Sequence, residues 1–446
     1  SNSFGKHDDE ARCARRPRLC APRRHSDRPH RAPPAAKRRD WCAARGMPTV
    51  PLRRRVRLGC GAPLGRRVAQ GSHRAAVTAP VKRHGPGAHA FAAGYVTKIS
   101  HMQLSDIRQR LRALGARPQH EHRVLRLWSQ ALPQDAGKRR IEDFMPQALR
   151  DALPALVAEL HGLARLKSEH PGEDGSSRLL VELRDGQTVE SVLLPRDGLC
   201  VSTQVGCAVG CVFCMTGQGG LVRQVSSGEI VAQVALARTL RPVKKVVFMG
   251  MGEPAHNLDN VLEAIELLGT AGNVGHKNLV FSTVGDPRVF TELPRGPVKP
   301  ALALSLHTTR ADLRARLLPR APRMTPEALV EAGERYARAT GYPIQYQWTL
   351  LEGINDTADE LAGIVRLLKG KYAVMNMIPY NSVPELDFRR PPWARAAEIA
   401  RTLHRAGVLT KLRHSAGQDV DGGCGQLRAR AERPARRVIG LVAAAA

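Results

Sequence analysis

The sequence predicts an α/β protein in which parallel strands form a barrel-like sheet. Short apolar runs typical of buried strands alternate with stretches of helical periodicity over residues 199–413, and this alternation favours parallel strands joined by crossover helices. Polar residues and glycines follow successive strand candidates, and barrel enzymes place their active sites at the carboxyl ends of their strands. No G-x-G-x-x-G motif follows the first run, so a dinucleotide-binding fold lacks its marker.

Residues 1–101 form a basic stretch rich in Arg and Pro. Residues 1–100 contain 23 Lys and Arg against 5 Asp and Glu. They show almost no periodic apolar pattern, so burial could not offset the entropy lost on ordering. We consider three interpretations: a disordered basic arm, a targeting peptide, or a non-native extension of a chain that naturally starts at Met102.

Residues 102–175 are predicted to form a small helical domain. Leu104, Ile107 and Leu111 recur at spacings of three and four, which is the period of an amphipathic helix. Similar apolar clusters continue to about Leu166. The residues themselves do not show whether this domain only packs against the barrel or also binds a partner.

A β-hairpin is predicted over residues 178–194, directly before the barrel. Alternating sequences flank Asp185-Gly186, and Asp-Gly between alternating strands is a strong hairpin signal. We therefore assign the hairpin and the barrel to residues 176–430 and treat residues 431–446 as a tail.

The strand candidates are seven short apolar runs: Leu199–Thr203, Lys245–Met249, Leu279–Ser282, Ala301–Leu306, Ile344–Leu351, Val374–Pro379 and Val408–Arg413. Helices between them carry start signals of the capping-box or proline type, namely Ser226 with Glu229, Thr357 with Glu360, and Thr325 with Pro326. Glycines that suit helix ends are Gly341, Gly370 and Gly407.

Composition limits the partners and the compartment. The formal net charge is +29, which suits a polyanionic partner but does not distinguish RNA, DNA and anionic lipid. No run of 18 apolar residues occurs, so no membrane span is predicted. All five cysteines beyond residue 100 fall within motifs, which favours a reducing cytoplasm where cysteines serve metal binding or catalysis.

The most informative stretch is a cysteine triplet with C-x3-C-x2-C spacing, formed by Cys207, Cys211 and Cys214. One loop can direct three such thiolates inward, and thiolates are the usual ligands of iron–sulfur clusters. Three ligands would leave one iron of a four-iron cluster open to a small molecule. A structural zinc site would need a fourth ligand nearby, yet the next cysteine is Cys424. Inert buried thiols are the remaining alternative.

Six motifs occur in a fixed order around and beyond this triplet: LCVSTQVGCAVGCVFCMTG, VVFMGMGEPAHN, FSTVGDP, ALALSLH, IPYN and GGCGQL. The triplet, with an aromatic residue before its last cysteine, resembles the radical S-adenosylmethionine (SAM) superfamily. The ordered motifs resemble its RlmN/Cfr family of RNA adenine methyltransferases, from about Ser177 to Arg430. The resemblance implies a partial (βα)6 TIM-type barrel, a [4Fe-4S] cluster on the three cysteines, and two SAM molecules per turnover.

The resemblance also implies a SAM pocket at the strand ends. Its residues would be Gly252, Glu253, Ser282, Ser305, Leu306, His307 and Asn381. Glu253 would accept a hydrogen bond from the SAM ammonium group, and Gly252 would permit close approach of the backbone. His307 by itself would more often be a buried histidine with satisfied hydrogen bonds.

Cys424 lies among glycines, which favours a closely approached loop over a packed core. In the resembled family the matching cysteine accepts a methyl group from a first SAM. A radical from a second SAM then takes hydrogen from that methyl group, and the methylene radical adds to carbon 2 of adenine. Cys200 matches the cysteine that resolves the protein–RNA adduct and leaves a disulfide. Glu190 matches the proposed proton acceptor, the alternative being a solvent-exposed strand carboxylate.

The expected function is therefore methylation of carbon 2 of an adenosine in RNA, namely 23S rRNA and possibly tRNA. Alternatives are methylation of carbon 8 or of another RNA, a radical SAM enzyme for protein or small molecules, and a non-catalytic iron–sulfur RNA-binding protein. The resemblance implies RNA binding by the helical domain and an electron donor such as flavodoxin or ferredoxin. We expect a cytoplasmic monomer without membrane contact.

Overall fold

The computed structural model of the chain describes residues 102–137, 140–383, 386–413 and 425–431. These residues belong to one compact unit, Pro86–Ala446. The predictions for residues 1–101, for the tail and for Cys424 concern residues outside the described ranges.

Twelve strands are present in the described part of the chain. They are β1 (Ala164–Pro171), β2 (Ser177–Leu183), β3 (Thr188–Leu194), β4 (Gly198–Cys200), β5 (Gln204–Gly206), β6 (Leu221–Gln224), β7 (Lys245–Phe248), β8 (Leu279–Thr283), β9 (Ala301–Ser305), β10 (Ile344–Leu350), β11 (Ala373–Pro379) and β12 (Thr410–Leu412). Ten of them form one sheet in the order β1-β2-β3-β4-β7-β8-β9-β10-β11-β12, and β5 pairs with β6 in a separate ribbon.

Pairing in the large sheet changes direction once. Neighbours from β1 to β4 are antiparallel, whereas all neighbours from β4 to β12 are parallel. The six strands from β4 to β11 in this parallel part match the predicted six-stranded barrel, and β12 adds a seventh. The predicted α/β fold with parallel strands is confirmed.

Twelve α-helices accompany the described strands. They are α1 (Leu104–Ala113), α2 (Pro118–Ser129), α3 (Gln147–His161), α4 (Met215–Gln218), α5 (Ser227–Leu240), α6 (Leu258–Gly269), α7 (Pro287–Glu292), α8 (Ala311–Leu317), α9 (Pro326–Thr340), α10 (Ala358–Leu368), α11 (Trp393–Arg405) and α12 (Gln426–Ala431). Helices α5, α6, α7, α9, α10 and α11 connect successive parallel strands. None of the described helices is long and apolar enough to cross a membrane.

Each of the seven strand candidates overlaps a strand of the parallel part, and the hairpin forms as β2 and β3. Its turn closes where expected, since Gly186 N–H donates to the Leu183 carbonyl over 2.9 Å. The sequence does not predict strand β1, because the expected helical pattern continues to about Leu166. Helix α3 instead ends at His161. The strand is mostly exposed and lies at the edge of the sheet, so it lacks the apolar alternation that marks a half-buried strand.

The predicted helix caps form, with one difference. The Ser226 hydroxyl accepts from Glu229 N–H over 3.2 Å, and the Glu229 carboxylate accepts from Ser226 N–H over 2.9 Å. At the second pair, Thr357 accepts from Glu360 N–H over 3.4 Å, but the Glu360 carboxylate accepts from the N–H and the hydroxyl of Thr309, both at 2.7 Å. This buried carboxylate ties α10 to the loop after β9 instead of completing a capping box.

The helices α1 to α3 share one hydrophobic core with the sheet and α5, a core that includes Leu104, Trp128 and Val231. Backbone contacts reinforce this packing at the start of α5. Leu104 N–H donates to the Ser227 hydroxyl over 2.9 Å, and the Ser226 hydroxyl donates to the Met102 carbonyl over 3.0 Å. The helical part is therefore joined to the rest of the fold by continuous burial.

Candidate active site

One face of the parallel sheet carries a small apolar cluster that is separate from the main core. It contains Cys200, Val247, Val280 and Ala303. Side chains two positions apart along a strand share a face, so Ser282, which follows Val280, and Ser305, which follows Ala303, lie on this face as well. The structure thereby brings the predicted resolving cysteine and two predicted SAM contacts to one side of the sheet.

The cysteine triplet lies on a loop between β5 and β6. Their ribbon fixes the start of the loop, where Cys207 N–H donates to the Gly220 carbonyl over 2.8 Å. Beyond it, Val212 N–H donates to the Leu317 carbonyl of α8 over 3.1 Å. The loop follows the carboxyl end of the first parallel strand, which is the end where the sequence analysis placed the site.

Cys207 is buried, Cys211 and Cys214 are half-buried, and the three thiols are close enough to influence one another. Burial, with smaller contributions from the neighbouring Cys214 and Glu253, raises the pKa of Cys207 to about 11. Burial also raises the pKa of Cys211, to which the other two thiols contribute, and the pKa of Cys214. Three adjacent thiolates would repel one another in this environment, so their joint ionisation requires a compensating cation such as a metal centre.

Hydrogen-bond donors are directed at two of these sulfurs. Cys207 receives backbone N–H groups of Val209 and Gly210, and Cys214 receives those of Thr216 and Gly217 as well as the Thr216 hydroxyl. Such donors stabilise thiolates and adjust the potential of iron–sulfur clusters. Among the described residues, no group of three His, Cys, Asp or Glu side chains is placed to hold a single metal ion. The fit to a cluster rests on the three adjacent thiols and their donors.

Glu253 is a buried carboxylate in the loop after β7, 4% exposed. It accepts hydrogen bonds from the N–H groups of Ala255 and Val284 at 3.1 and 3.0 Å. Burial nevertheless raises the pKa of Glu253 to about 7. Its charge also acts on Cys207 and Cys211, so the carboxylate lies near the cysteine loop, where the predicted SAM ammonium group would be.

Gly252 brings this loop against the first residue of β5, Gln204. Its φ is +102°, and a Cβ at this position would lie 2.5 Å from Cβ of Gln204. The next peptide is tied to the same side chain, since Glu253 N–H donates to Oε1 of Gln204 over 2.7 Å. The predicted close approach of the Gly252 backbone is thus made to Gln204 of the protein itself, and this contact holds Glu253 in position.

His307 is buried and also contacts the cysteine loop. Its Nδ1 accepts the N–H of Thr349 over 3.0 Å, and burial lowers the pKa of His307 to about 3, so the ring is neutral. The ring meets Phe213 edge-on with centroids 5.0 Å apart. His307 has the left-handed φ of +62°, which is costly for a residue with a Cβ, and this strain marks the end of β9 as a specialised turn.

The remaining two predicted SAM contacts are Leu306 and Asn381, which differ in burial and in backbone hydrogen bonding. Leu306 has a fully buried side chain, its N–H donates to the Gln347 carbonyl over 3.1 Å, and its carbonyl accepts from Thr308 N–H over 2.9 Å. Asn381 follows β11 and is half-buried. The SAM contacts of both residues stay predictions.

Glu190 is buried, with 1% exposed, so the alternative of a solvent-exposed strand carboxylate is wrong. It forms an ion pair with Arg178 over 3.2 Å. It also accepts the backbone N–H of Gly425 over 3.0 Å. Cys424 lies outside the described residues, but its neighbour in the chain is thereby placed against β3. The three cysteines of the loop triplet, Cys207, Cys211 and Cys214, are not in disulfides.

Two charged residues at the site were missed by the sequence analysis. Arg178 stands on β2 across from Val192, diagonal to Glu190, and an opposite charge at that cross-strand position could have signalled the pair. Arg314 on α8 is 3% exposed, and its guanidinium donates to the carbonyls of Val284 and Ser305. Burial lowers the pKa of Arg314 to about 10, and Cys211 and Glu253 counteract this. Nothing in its arginine-rich surroundings distinguishes it in the sequence.

A triplet of adjacent thiols after the first parallel strand, next to a Gly-Glu turn after the second, is typical of a radical SAM enzyme. The Radical SAM superfamily matches residues 201–368. The chain is 76% identical over 338 residues to a "Probable RNA methyltransferase" of Leptothrix cholodnii, which covers 76% of this chain and 97% of the relative. It is 69% identical over 332 residues to a "Probable RNA methyltransferase" of Pseudomonas aeruginosa, covering 74% and 96% respectively.

A solved structure agrees with these relatives. The crystal structure of a radical SAM methyltransferase from Sphaerobacter thermophilus superposes with a TM-score of 0.62 at 32% identity and covers 74% of this chain and 98% of that one. The chain therefore belongs to the radical SAM RNA methyltransferases. Its cofactors are a [4Fe-4S] cluster, with Cys207, Cys211 and Cys214 as the residues that fit it, and SAM.

Proposed function

We propose that this enzyme methylates carbon 2 of an adenosine in RNA, in 23S rRNA and possibly tRNA, through S-methylated Cys424. One observation carries this proposal. Gly425 is hydrogen-bonded to Glu190, and Glu190 precedes Val192, which belongs to the same cluster as Cys200. Since residues two apart on a strand share a face, the chain next to Cys424 reaches the face on which Cys200 lies.

Two cysteines on one face suit covalent catalysis in separate steps. The cluster and SAM together supply a radical that can take hydrogen from an otherwise inert methyl group. Cys424 would first accept that methyl group as a thiolate, and its carbon would then bond to carbon 2 of adenine. The radical adduct would then lose one electron, which the cluster would take back, and the proton at carbon 2, which a base would accept. The Cys200 thiolate would attack the sulfur of Cys424, so that an S–S bond forms as the bond from sulfur to the transferred carbon breaks, and that carbon would take up a proton to become the methyl group. An external dithiol reductant would return both thiols.

The proposal also includes the RNA substrate, the electron donor, the oligomeric state and the compartment. The basic net charge of +29 and the names of the relatives support an RNA substrate. The target adenine would have to be unstacked, because an edge within a duplex cannot reach a buried site. The cluster needs a one-electron donor, for which flavodoxin or ferredoxin is the expected class, and we expect the enzyme to act as a monomer in the cytoplasm.

Mass spectrometry of digested RNA tests this function. RNA from cells that lack the gene would be compared with RNA from the same cells supplied with the intact chain, with Cys424→Ala, or with the control Cys60→Ala, which alters a cysteine outside all motifs. We expect 2-methyladenosine to appear with the intact chain and the control only. 8-Methyladenosine in its place would support the alternative position, and an unchanged nucleoside profile in all arms would contradict the proposal.

A further inference from the structure

The carboxylate of Glu190 is bound on both of its oxygens. Oε2 accepts hydrogen bonds from Nη1 of Arg178 at 3.2 Å and from the backbone N–H of Gly425 at 3.0 Å. Oε1 receives the backbone N–H of Arg428 at 2.8 Å. Hydrogen bonds to a charged acceptor are about twice as strong as neutral ones. A single side chain of the β2–β3 hairpin therefore binds the segment 425–431 at two points.

The ion pair beneath this contact is fully enclosed. Arg178 is 2% exposed and Glu190 is 1% exposed. A buried carboxylate is stabilised only when it is paired and its remaining acceptor sites are filled. The two backbone N–H groups fill sites that Arg178 leaves open, so undocking of the C-terminal segment would expose them to water or leave them unpaired.

Gly425 is also pressed against the cysteine loop. Its φ is +89°, and a Cβ would lie 2.5 Å from the Thr216 hydroxyl oxygen and 2.8 Å from the Thr216 nitrogen. The same hydroxyl and the same N–H are hydrogen-bonded to the sulfur of Cys214. The residue that follows Cys424 thus touches the residue that holds a cluster ligand.

We propose that Glu190 is a positioning residue, which together with Arg178 and Thr216 docks the segment 425–431 and thereby anchors the chain directly after Cys424 beside the cysteine loop. The docking contact stands on these distances, while its catalytic consequence rests on the proposed function. It differs from the role of proton acceptor that the sequence predicts for Glu190. A general base must come within hydrogen-bond reach of a substrate proton, whereas both oxygens of Glu190 are occupied by protein N–H groups and the side chain is enclosed.

Hydrogen exchange of the full chain, prepared without oxygen, tests the docking. In the wild type the amides of Gly425 and Arg428 should be protected. Glu190→Gln retains one carbonyl acceptor and should speed exchange of peptides covering 425–431 by about tenfold, and Glu190→Ala by about 100-fold or more, since each charged hydrogen bond is worth at least one factor of ten. The matched control is Glu182→Gln on β2, whose carboxylate is paired with Arg165 over 2.7 Å. Unchanged exchange in both Glu190 variants would overturn the docking.

A second measurement separates positioning from proton transfer. After anaerobic incubation with SAM, the intact mass of the protein reports whether Cys424 carries a methyl group. Positioning predicts that Glu190→Gln lowers this methylation at least tenfold, because the chain directly after Cys424 is no longer anchored. A proton acceptor acts only after RNA has been attacked, so wild-type methylation of Cys424 in a variant whose 425–431 segment has lost protection would refute positioning.

A third variant covers the case in which the Glu190 substitutions do not fold. Gly425→Ala adds a methyl group that would meet Thr216, whereas Gly353→Ala places the same group at φ +70° with nothing within 4 Å. Only Gly425→Ala should speed exchange of 425–431 and lower methylation of Cys424. Equal behaviour of the two alanine variants would contradict the contact. The exchange result needs neither RNA nor SAM, so it stands even if the substrate proves to be different.

Discussion

Gly252→Ala should weaken SAM binding about 100-fold without removing the cluster. The added Cβ would lie 2.5 Å from Cβ, 2.6 Å from Cγ and 2.9 Å from the nitrogen of Gln204, and the last of these is backbone that cannot turn away. Over-packing costs about 1–3 kcal/mol, and a positive φ on a residue with a Cβ costs about 1–2 kcal/mol more. The loop would relieve the clash by moving.

This movement would carry Glu253 with it. The Glu253 N–H is bonded to the Gln204 side chain at 2.7 Å, so separation of the two loops breaks that bond and displaces the carboxylate. If about 2.7 kcal/mol must be recovered each time SAM binds, the affinity falls about 100-fold at about 1.4 kcal/mol per factor of ten. Iron content should stay normal, because the three thiols lie on a different loop.

Titration calorimetry of SAM into the anaerobic, cluster-loaded protein measures this change. Gly353→Ala is the matched control, since its φ is +70° but nothing lies within 4 Å of the added methyl. The Gly353→Ala variant has a similar free-energy cost from its positive φ, but its added methyl group meets no other atom. We expect its SAM affinity within about twofold of the wild type. Gly252→Ala that binds SAM like this control would refute the argument that close approach at Gly252 positions Glu253.

Four other outcomes are expected. Alanine in place of any one of the three loop cysteines should abolish the iron content and brown colour of anaerobically purified protein. Cys200→Ala should accumulate an RNA adduct that survives denaturing electrophoresis, and Cys424→Ala should form none. A chain starting at Met102 should unfold at the temperature of the full chain in a circular dichroism melt, because residues 1–101 show almost no periodic apolar pattern that could contribute to a core. Since burial raises the pKa of Glu253 to about 7, SAM should bind more tightly as the pH rises through about 7, and Glu253→Gln should flatten that dependence.

Local chemistry explains which elements the sequence could predict. The strands from β7 to β11 are largely buried and are followed by helices, most of which have clear start signals. Their periodicity and their boundaries can therefore be recognised from neighbouring residues. Strand β1 has neither property, because it lies at the edge of the sheet and is held mainly by backbone pairing to β2. The ribbon of β5 and β6 is too short to show a period, and its pairing depends on the cysteine loop between the strands.

The residues of the candidate site also fall into those that the sequence alone can identify and those that it cannot. The loop cysteines and the Gly252-Glu253 turn are contiguous motifs, whose spacing is visible without a structure. Arg314 is identified only by its burial between two strand ends. The role of Glu190 could not be read locally, since its partners Gly425 and Arg428 are 235 and 238 positions away.

Sheet order gives a physical reason for that long separation. Strand β12 lies at the edge of the sheet opposite to the hairpin, whereas Gly425 and Arg428 are bound to Glu190 on the hairpin strand β3. The chain between Leu412 and Gly425 must therefore lead from the last parallel strand to the antiparallel strands that precede the first. Cys424 directly precedes Gly425 in the sequence. A cysteine next to a residue that is fixed by these hydrogen bonds suits the function proposed above, in which Cys424 meets a methyl donor, an adenine and Cys200 in turn.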